Sequence, residues 1–256
     1  MLHNIEVNGE NYTWDDDLPL DISIPLKFNE QGPNCFYAPW AEAAPVIAGD
    51  FVGDTTKGGA VNFKNVKLNP HGNGTHTECV GHISKASYYV NECLKKYVFL
   101  ARVISVWPEK QDNGDRVITM QSLEGAMAVD EANQAEALIV RTLPNKEDKC
   151  WRNYSGTNPV YFSEESIRYI VDKGFNHLLV DLPSVDREED GGALKAHKAF
   201  WQYPENVRKD CTITELIFVN EQIQDGLFLL HLQIAPFQLD ASPSKPTVYQ
   251  LDRQVK

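Results

Sequence analysis

Two stretches, residues 97–106 and 137–142, are dominated by apolar and β-branched residues over strand length. A strand with one solvated face alternates polar and apolar; a run that is apolar on both faces belongs to a sheet covered on both sides. The rest of the chain must therefore supply that cover. Ser163 reads as the N-cap of a helix, with Glu164 and Glu165 in its first turn and Gly174 as its stop, so the helix should run to about residue 173. Residues 175–182 read as the next strand, 193–201 as a short helix, 212–219 as a strand and 227–234 as the last one.

The N-terminal part has a different grammar. Residues 5–14 alternate around Asn8-Gly9, a hairpin signal. The stretch 21–26 is short and extended, and 29–60 is rich in glycine and proline, as surface loop is. Residues 60–68 alternate well enough to form a strand leading into the histidine-rich segment that follows. No repeat, low-complexity tract or linker interrupts residues 1–256. Interleaved strands and helices, with hairpins, predict an α/β fold: one domain with a mixed β-sheet core flanked by helices and hairpins.

Composition removes several functions. Lys and Arg total 24 against 36 Asp and Glu, a net charge of -12 that repels phosphate backbones and leaves no basic stripe for nucleic acid. The five cysteines are odd in number and include no C-x-x-C pair, which argues against a disulfide framework and a thiolate zinc site. No apolar run approaches the ~20 residues that span a bilayer, and the N-terminal residues lack the apolar core of a signal peptide. The expectation is a soluble, cytoplasmic protein with no nucleic-acid or membrane partner.

The chemistry concentrates between residues 71 and 82. His71, His76 and His82 stand there with Glu78, among Gly72, Gly74 and Gly81. Imidazole and carboxylate are usual ligands of a catalytic divalent metal, and glycines let the backbone bend until such side chains converge. His76 and Glu78 are two apart, so an extended backbone sends both to one face. His82 could join them through a turn at Gly81, and His71 through Gly72-Asn73-Gly74. Rival sites lack parts: there is no H-E-x-x-H, no P-C-x-x-C after His76-Thr77-Glu78, no G-x-S-x-G, no P-loop and no G-x-G-x-x-G. A metal hydrolase of another kind remains.

Gly74-Thr75-His76-Thr77-Glu78 followed by His82 resembles the H-x-G-T-H-x-D-x3-H signature of the putative cyclase family, which includes bacterial-type kynurenine formamidases and isatin hydrolases. Asp21-Ile22-Ser23-Ile24-Pro25-Leu26 is similar to that family's D-[IL]-S-x-P-L. Asp181-Leu182-Pro183-Ser184-Val185-Asp186 is similar to its D-x-P-S-x-D, Ala196-His197 to the A-H-H that follows, and Thr214-Glu215-Leu216 to a late strand carrying a glutamate. The resemblance spans roughly residues 18 to 235. It implies a cyclase-like swivelling β/α/β fold with His76, Glu78, His197 and Glu215 as metal ligands and His82 as the catalytic histidine.

It further implies a divalent cofactor, Zn2+ or Mn2+, a small-molecule substrate and a homo-oligomer, dimer or larger. The activity implied is arylformamidase-like: metal-hydroxide attack on N-formylkynurenine or a related N-formyl aromatic amine, giving formate and free amine. A cyclic amide or lactone, as in the isatin hydrolases, is one alternative, and a non-catalytic metal-binding member is another. His82, spared as a ligand, would protonate the leaving nitrogen, since imidazole titrates near neutral pH. Phe36, Tyr37 and Trp40 are candidates for stacking on the substrate's ring.

Two departures stand out. Glu78 replaces the usual aspartate. Gly72 stands where the family's first histidine would be, four residues before His76, whereas His71 is five before it. Either Asn73 is an insertion and His71 still binds, or one ligand is missing; His71 is expected to be a ligand. Glu215 lies in an apolar strand where an ionised carboxylate needs a partner such as a metal. Asp181 and Asp186 are expected to orient ligands or hold the Pro183 loop, and His3, His177 and His231 to be structural.

Overall fold

The computed structural model describes residues 1–128 and 135–254. Seven strands carry its core: β1 (His76–Glu78), β2 (Val98–Val106), β3 (Ala137–Thr142), β4 (His177–Val180), β5 (Thr212–Glu215), β6 (Gly226–Ile234) and β7 (Ala241–Gln250). Their order is β6-β2-β3-β4-β5-β1-β7, and β7 pairs back onto β6, so the sheet closes on itself. Strands β2 to β5 are parallel neighbours, while β1, β6 and β7 complete the ring with antiparallel pairings. Closure removes the free edges that an open sheet would expose. Leu20–Asp21 adds a short strand outside β7.

Parallel neighbours need crossover connections, and helices provide them. Met120–Met127 lies between β2 and β3, Glu164–Asp172 between β3 and β4, and Lys195–Trp201 between β4 and β5. Because successive strand residues face opposite ways, the runs that are apolar throughout divide between two cores. Ile104, Leu138, Val140, Leu178 and Val180 face the helices and pack with Leu123, Ile167, Ile170 and Trp201. Val103, Ile139, Leu179, Phe228, Leu230 and Val248 face inward and fill the barrel. Glu164–Asp172 forms as its sequence predicts: Ser163 accepts from Ser166 N–H, and Gly174 takes φ 87° past the end. Buried Ile167 and Ile170 lie one turn apart on it, each contributing about 1.5–3 kcal/mol by leaving water.

The hairpin also stands as predicted, Leu2–Val7 against Glu10–Asp15, with Asn8 and Gly9 at φ 55° and 78°. Three expectations change. Of residues 60–68, only Lys64–Lys67 is a strand; all four of its residues are exposed and it pairs with Glu42–Pro45 away from the barrel, so it does not deliver the histidines. The strand expected over 212–219 stops at Glu215, because Leu216 turns to φ 55°. The ten-residue β7, after the supposed last strand, is the one that closes the barrel. Its Pro243 and Pro246 lack the N–H that a central ladder uses, which masks the run as loop in sequence. The helix Met120–Met127 was likewise unforeseen, although Thr119 and Ser122 form a capping box at its start.

Candidate metal centre

The histidine-rich segment enters through a single helical turn, Pro70–Asn73. Asn69 caps it by accepting from Gly72 N–H at 3.2 Å, and Pro70 occupies the first helical position. The Asn73 side chain then ties the turn down, accepting from Asn69 N–H at 2.7 Å and donating to the Pro39 carbonyl at 3.0 Å. A Cβ at position 72 would sit 2.4 Å from the Cβ of Ala38, so no histidine fits there. The turn presents His71 instead, with Nδ1 3.2 Å from Glu78 Oε2.

His76 and Glu78 follow in β1, fully buried and on one face, while Thr77 points the other way to share a 2.8 Å hydrogen bond with Thr214. Cys79 then caps a short 3-10 turn, Val80–His82. Only glycine suits position 81, where a Cβ would lie 2.3 Å from the Tyr88 carbonyl oxygen. The turn returns His82 to the cluster, its ring centroid 4.3 Å from that of His71 and 5.3 Å from that of His197.

The distant residues arrive through the sheet and one helix. Glu215 ends β5 directly opposite His76, with its Oε2 3.4 Å from His76 Nε2. Its Oε1 accepts from Val185 N–H at 3.0 Å, which ties it to the Pro183 loop. His197 lies in the first turn of Lys195–Trp201. Asp186 caps that helix, accepting from Ala196 and His197 N–H at 2.8 and 3.0 Å, and pairs with His197 Nδ1 at 2.6 Å. With Nδ1 engaged by Asp186, Nε2 is the ring atom left to serve as a ligand, and it points at Glu78 Oε1, 3.2 Å away. Asp186 thus fixes the ring of His197; Asp181 belongs to another network, with Lys149 and Thr142.

Sequence reasoning missed Asp240. It stands just before β7, with its Oδ2 2.9 Å from His71 Nε2 and 3.5 Å from His82 Nδ1. No local pattern marks a lone aspartate in a stretch that reads as loop. Phe36 and Tyr37 are 41% and 74% exposed and Trp40 is half-buried. Their loop docks on the turn carrying His71, through Cys35 N–H to the Gly72 carbonyl at 3.0 Å. The remaining histidines are structural in their contacts: His3 stacks on Trp14, His177 packs on Phe99 and His231 on Tyr249.

The electrostatics of the cluster are set by the mutual pull of its imidazoles and carboxylates. Burial alone lowers the basicity of His71, but the carboxylates of Asp240 and Glu78 outweigh it and carry the imidazole up to about 10. His197 reaches about 10 in the same way, burial opposed by Asp186 and Glu78. Glu78 is pushed up by burial, yet His82, His197 and His71 hold it well below the usual carboxylate range. Asp240 is lowered by its hydrogen bond with His71 and by the nearby His82 imidazole. Positive charge is therefore strongly favoured here.

The unpaired atoms point to a cation as its source. His76 Nε2, both Glu78 oxygens and His197 Nε2 are buried without an aligned hydrogen-bond partner among the described residues. Such orphans are costly unless something binds them. Two overlapping groups have ligand atoms within 4.8 Å of one another: His71, His76 and Glu78, and Glu78, His82 and His197. A third, His71, His82 and Asp240, adjoins them. Imidazole and carboxylate donors in this arrangement fit a divalent ion.

Comparison with known proteins agrees with the fold. No curated protein matches the sequence. Among solved structures, the predicted metal-dependent hydrolase from Bacillus stearothermophilus superposes with TM-score 0.61 at 13% identity, covering 91% of this chain and 98% of that one. Isatin hydrolase A from Labrenzia aggregata, bound to benzyl benzoate, gives TM-score 0.64 at 14% identity over 91% and 93%. Isatin hydrolase A from Ralstonia solanacearum gives 0.61 at 13% over 91% of each. The family model described as "Putative cyclase" matches residues 20–187, a span that includes the histidine cluster and the Asp181–Asp186 loop. The chain is a member of the putative cyclase family, and its fold is that of the family's metal-dependent hydrolases.

Proposed function

We propose that the protein is a metal-dependent hydrolase of N-aryl amides, acting on N-formylkynurenine or a related N-formyl aromatic amine to give formate and the free amine. The observation that carries this reading is the convergence of buried, unpartnered ligand atoms on His76, Glu78 and His197, beside His71 and Glu215. These five residues would hold a divalent ion, Zn2+ or Mn2+. When bound, such an ion supplies Lewis acidity toward the carbonyl and acidifies a water.

The chain's own residues supply the rest. An amide nitrogen leaves only if it is protonated, and His82 lies at the open side of the cluster with 31% of its side chain exposed, where a substrate reaches it. Asp240 faces His82 Nδ1 and orients its ring. Asp186 fixes the tautomer and rotation of His197. The exposed rings of Phe36 and Tyr37, on the loop docked beside His71, offer a stacking surface for an aromatic amine. Bond making is hydrolytic: water oxygen joins the formyl carbon, the C–N bond breaks, the nitrogen takes a proton from His82, and the proton given up by the water restores that histidine.

A second reading keeps the machinery and closes the amide into a ring. The structural likeness to isatin hydrolases favours it. Turnover of N-formylkynurenine and isatin, measured side by side on the metal-loaded protein, separates the two. Formamidase activity is expected; cleavage of isatin alone would transfer the proposal to the cyclic amide, and inertness toward both would end it. His82→Ala should abolish turnover while leaving metal content intact. Loss of metal with the same substitution would make His82 a ligand and remove the proton donor from the scheme.

A further inference from the structure

A cavity of about 320 Å³ opens where β3 and β4 end, at Thr142 and Asp181, within the size range of small-molecule sites. Its wall carries Arg116, Lys146, Lys149 and Arg152 against one carboxylate, Asp181. That concentration of positive charge is anomalous in a chain of net charge -12.

The cations are not equivalent. Lys149 is buried and already occupied, donating to Asp181 Oδ2 at 2.6 Å, the Thr142 carbonyl at 2.7 Å and Asn145 Oδ1 at 3.2 Å. Arg152 shares one edge of its guanidinium with Asp148 at 2.6 Å. Arg116 and Lys146 have no acidic partner among the described residues. The second observation is Tyr154. It lines the same cavity and is only 4% exposed, and its hydroxyl has no hydrogen-bond partner among the described residues. A buried hydroxyl left unsatisfied is costly, and this one belongs to a side chain in the wall of the cationic cavity. Burial also raises the phenol's pKa, so it remains a donor.

Leu143, Pro144 and Val160 form an apolar side to the same space. None of the residues proposed to hold the metal lines the cavity, although it opens at the same end of the barrel as Glu215, one strand over from β4. We propose that this cavity is a second ligand site, for a small organic carboxylate. The Tyr154 hydroxyl and the guanidiniums of Arg116 and Arg152 take the carboxylate, and Leu143, Pro144 and Val160 take its apolar body. A guanidinium fork matches a carboxylate in geometry. Asp181 at the wall disfavours a more highly charged anion, and the apolar side gives inorganic phosphate nothing to pack on.

The test is a calorimetric titration of the purified protein with benzoate, before and after chelation of metal. Saturable binding is expected, unchanged by chelation. Arg116→Gln and Tyr154→Phe should each weaken it about tenfold, the size of one charge-assisted hydrogen bond. Arg116 is exposed, so its variant reports on binding even if Tyr154→Phe fails to fold. Benzamide, of the same shape without the charge, should not compete. Absence of saturable binding overturns the proposal. So does binding that disappears with the metal and ignores both substitutions, which would place benzoate at the metal centre. Phosphate binding more tightly than benzoate would overturn the carboxylate assignment.

Discussion

Gly72→Ala tests how the site is built with a single added methyl. The new Cβ would lie 2.4 Å from Ala38 Cβ and 3.3 Å from the Cys35 carbonyl oxygen. Carbon atoms in contact prefer about 3.5–4.0 Å, so the turn and the facing loop must separate by about 1 Å. Neither yields cheaply, because Cys35 N–H donates to the Gly72 carbonyl and Asn73 donates to the Pro39 carbonyl across the same junction. Overpacking of this kind costs about 1–3 kcal/mol. For a chain of this length that lowers the melting temperature by about 2 to 12 °C. His71 rides on the displaced turn, and metal–ligand distances tolerate only about 0.2 Å. Metal affinity should therefore fall as well, read by competition against a chromophoric chelator. Ala38→Gly in the same chain removes the opposing methyl and should recover most of both losses, less about 0.5–1 kcal/mol for the added backbone freedom. Gly72→His, which installs the family pattern at face value, should be worse than Gly72→Ala. A Gly72→Ala or Gly72→His protein that melts like the parent with unchanged metal affinity would refute the reasoning, since position 72 would then have room and His71 would not be the residue held in place.

Two further outcomes follow from particular groups. Asp186→Asn keeps the capping geometry but weakens the pull on His197 Nδ1, now at 2.6 Å; metal affinity should drop about 10–100-fold, and an unchanged affinity would remove Asp186 from the site. His177 is held down to about 4 from 6.5, by burial first and then by Lys96 and Arg208. Its folded value lies below its unfolded one, so the unfolded chain takes the proton first and stability is lost as pH falls from 6.5 toward 4. That loss is on the order of 3 kcal/mol. Denaturant unfolding at several pH values, compared between the parent and His177→Gln, should show a shallower acid slope in the variant; parallel slopes would contradict the assignment.

What the sequence revealed depended on whether the deciding interaction was local. Ser163, Glu164, Glu165 and Gly174 mark their helix within a dozen residues, and the structure follows them. His76 and Glu78 share a face because strand periodicity is local too, and their distant partners were found only through family resemblance. Closure of the barrel was illegible, since β7 carries Pro243 and Pro246 and its pairing with β6 and β1 is decided by tertiary contact. Asp240 was lost with it. The Gly72 register rests on Ala38, more than thirty residues away, and no local rule reports such a contact. Lys64–Lys67 shows the opposite error, an alternating run whose pairing is real but unrelated to the site.

The central claim is that His71, His76, Glu78, His197 and Glu215 hold a divalent metal ion. Elemental analysis of the purified protein, alongside His76→Ala and with zinc and manganese offered to both, tests it most directly. The account predicts stoichiometric divalent metal in the parent and its loss in the variant. A parent protein that contains no metal and takes up none would contradict it.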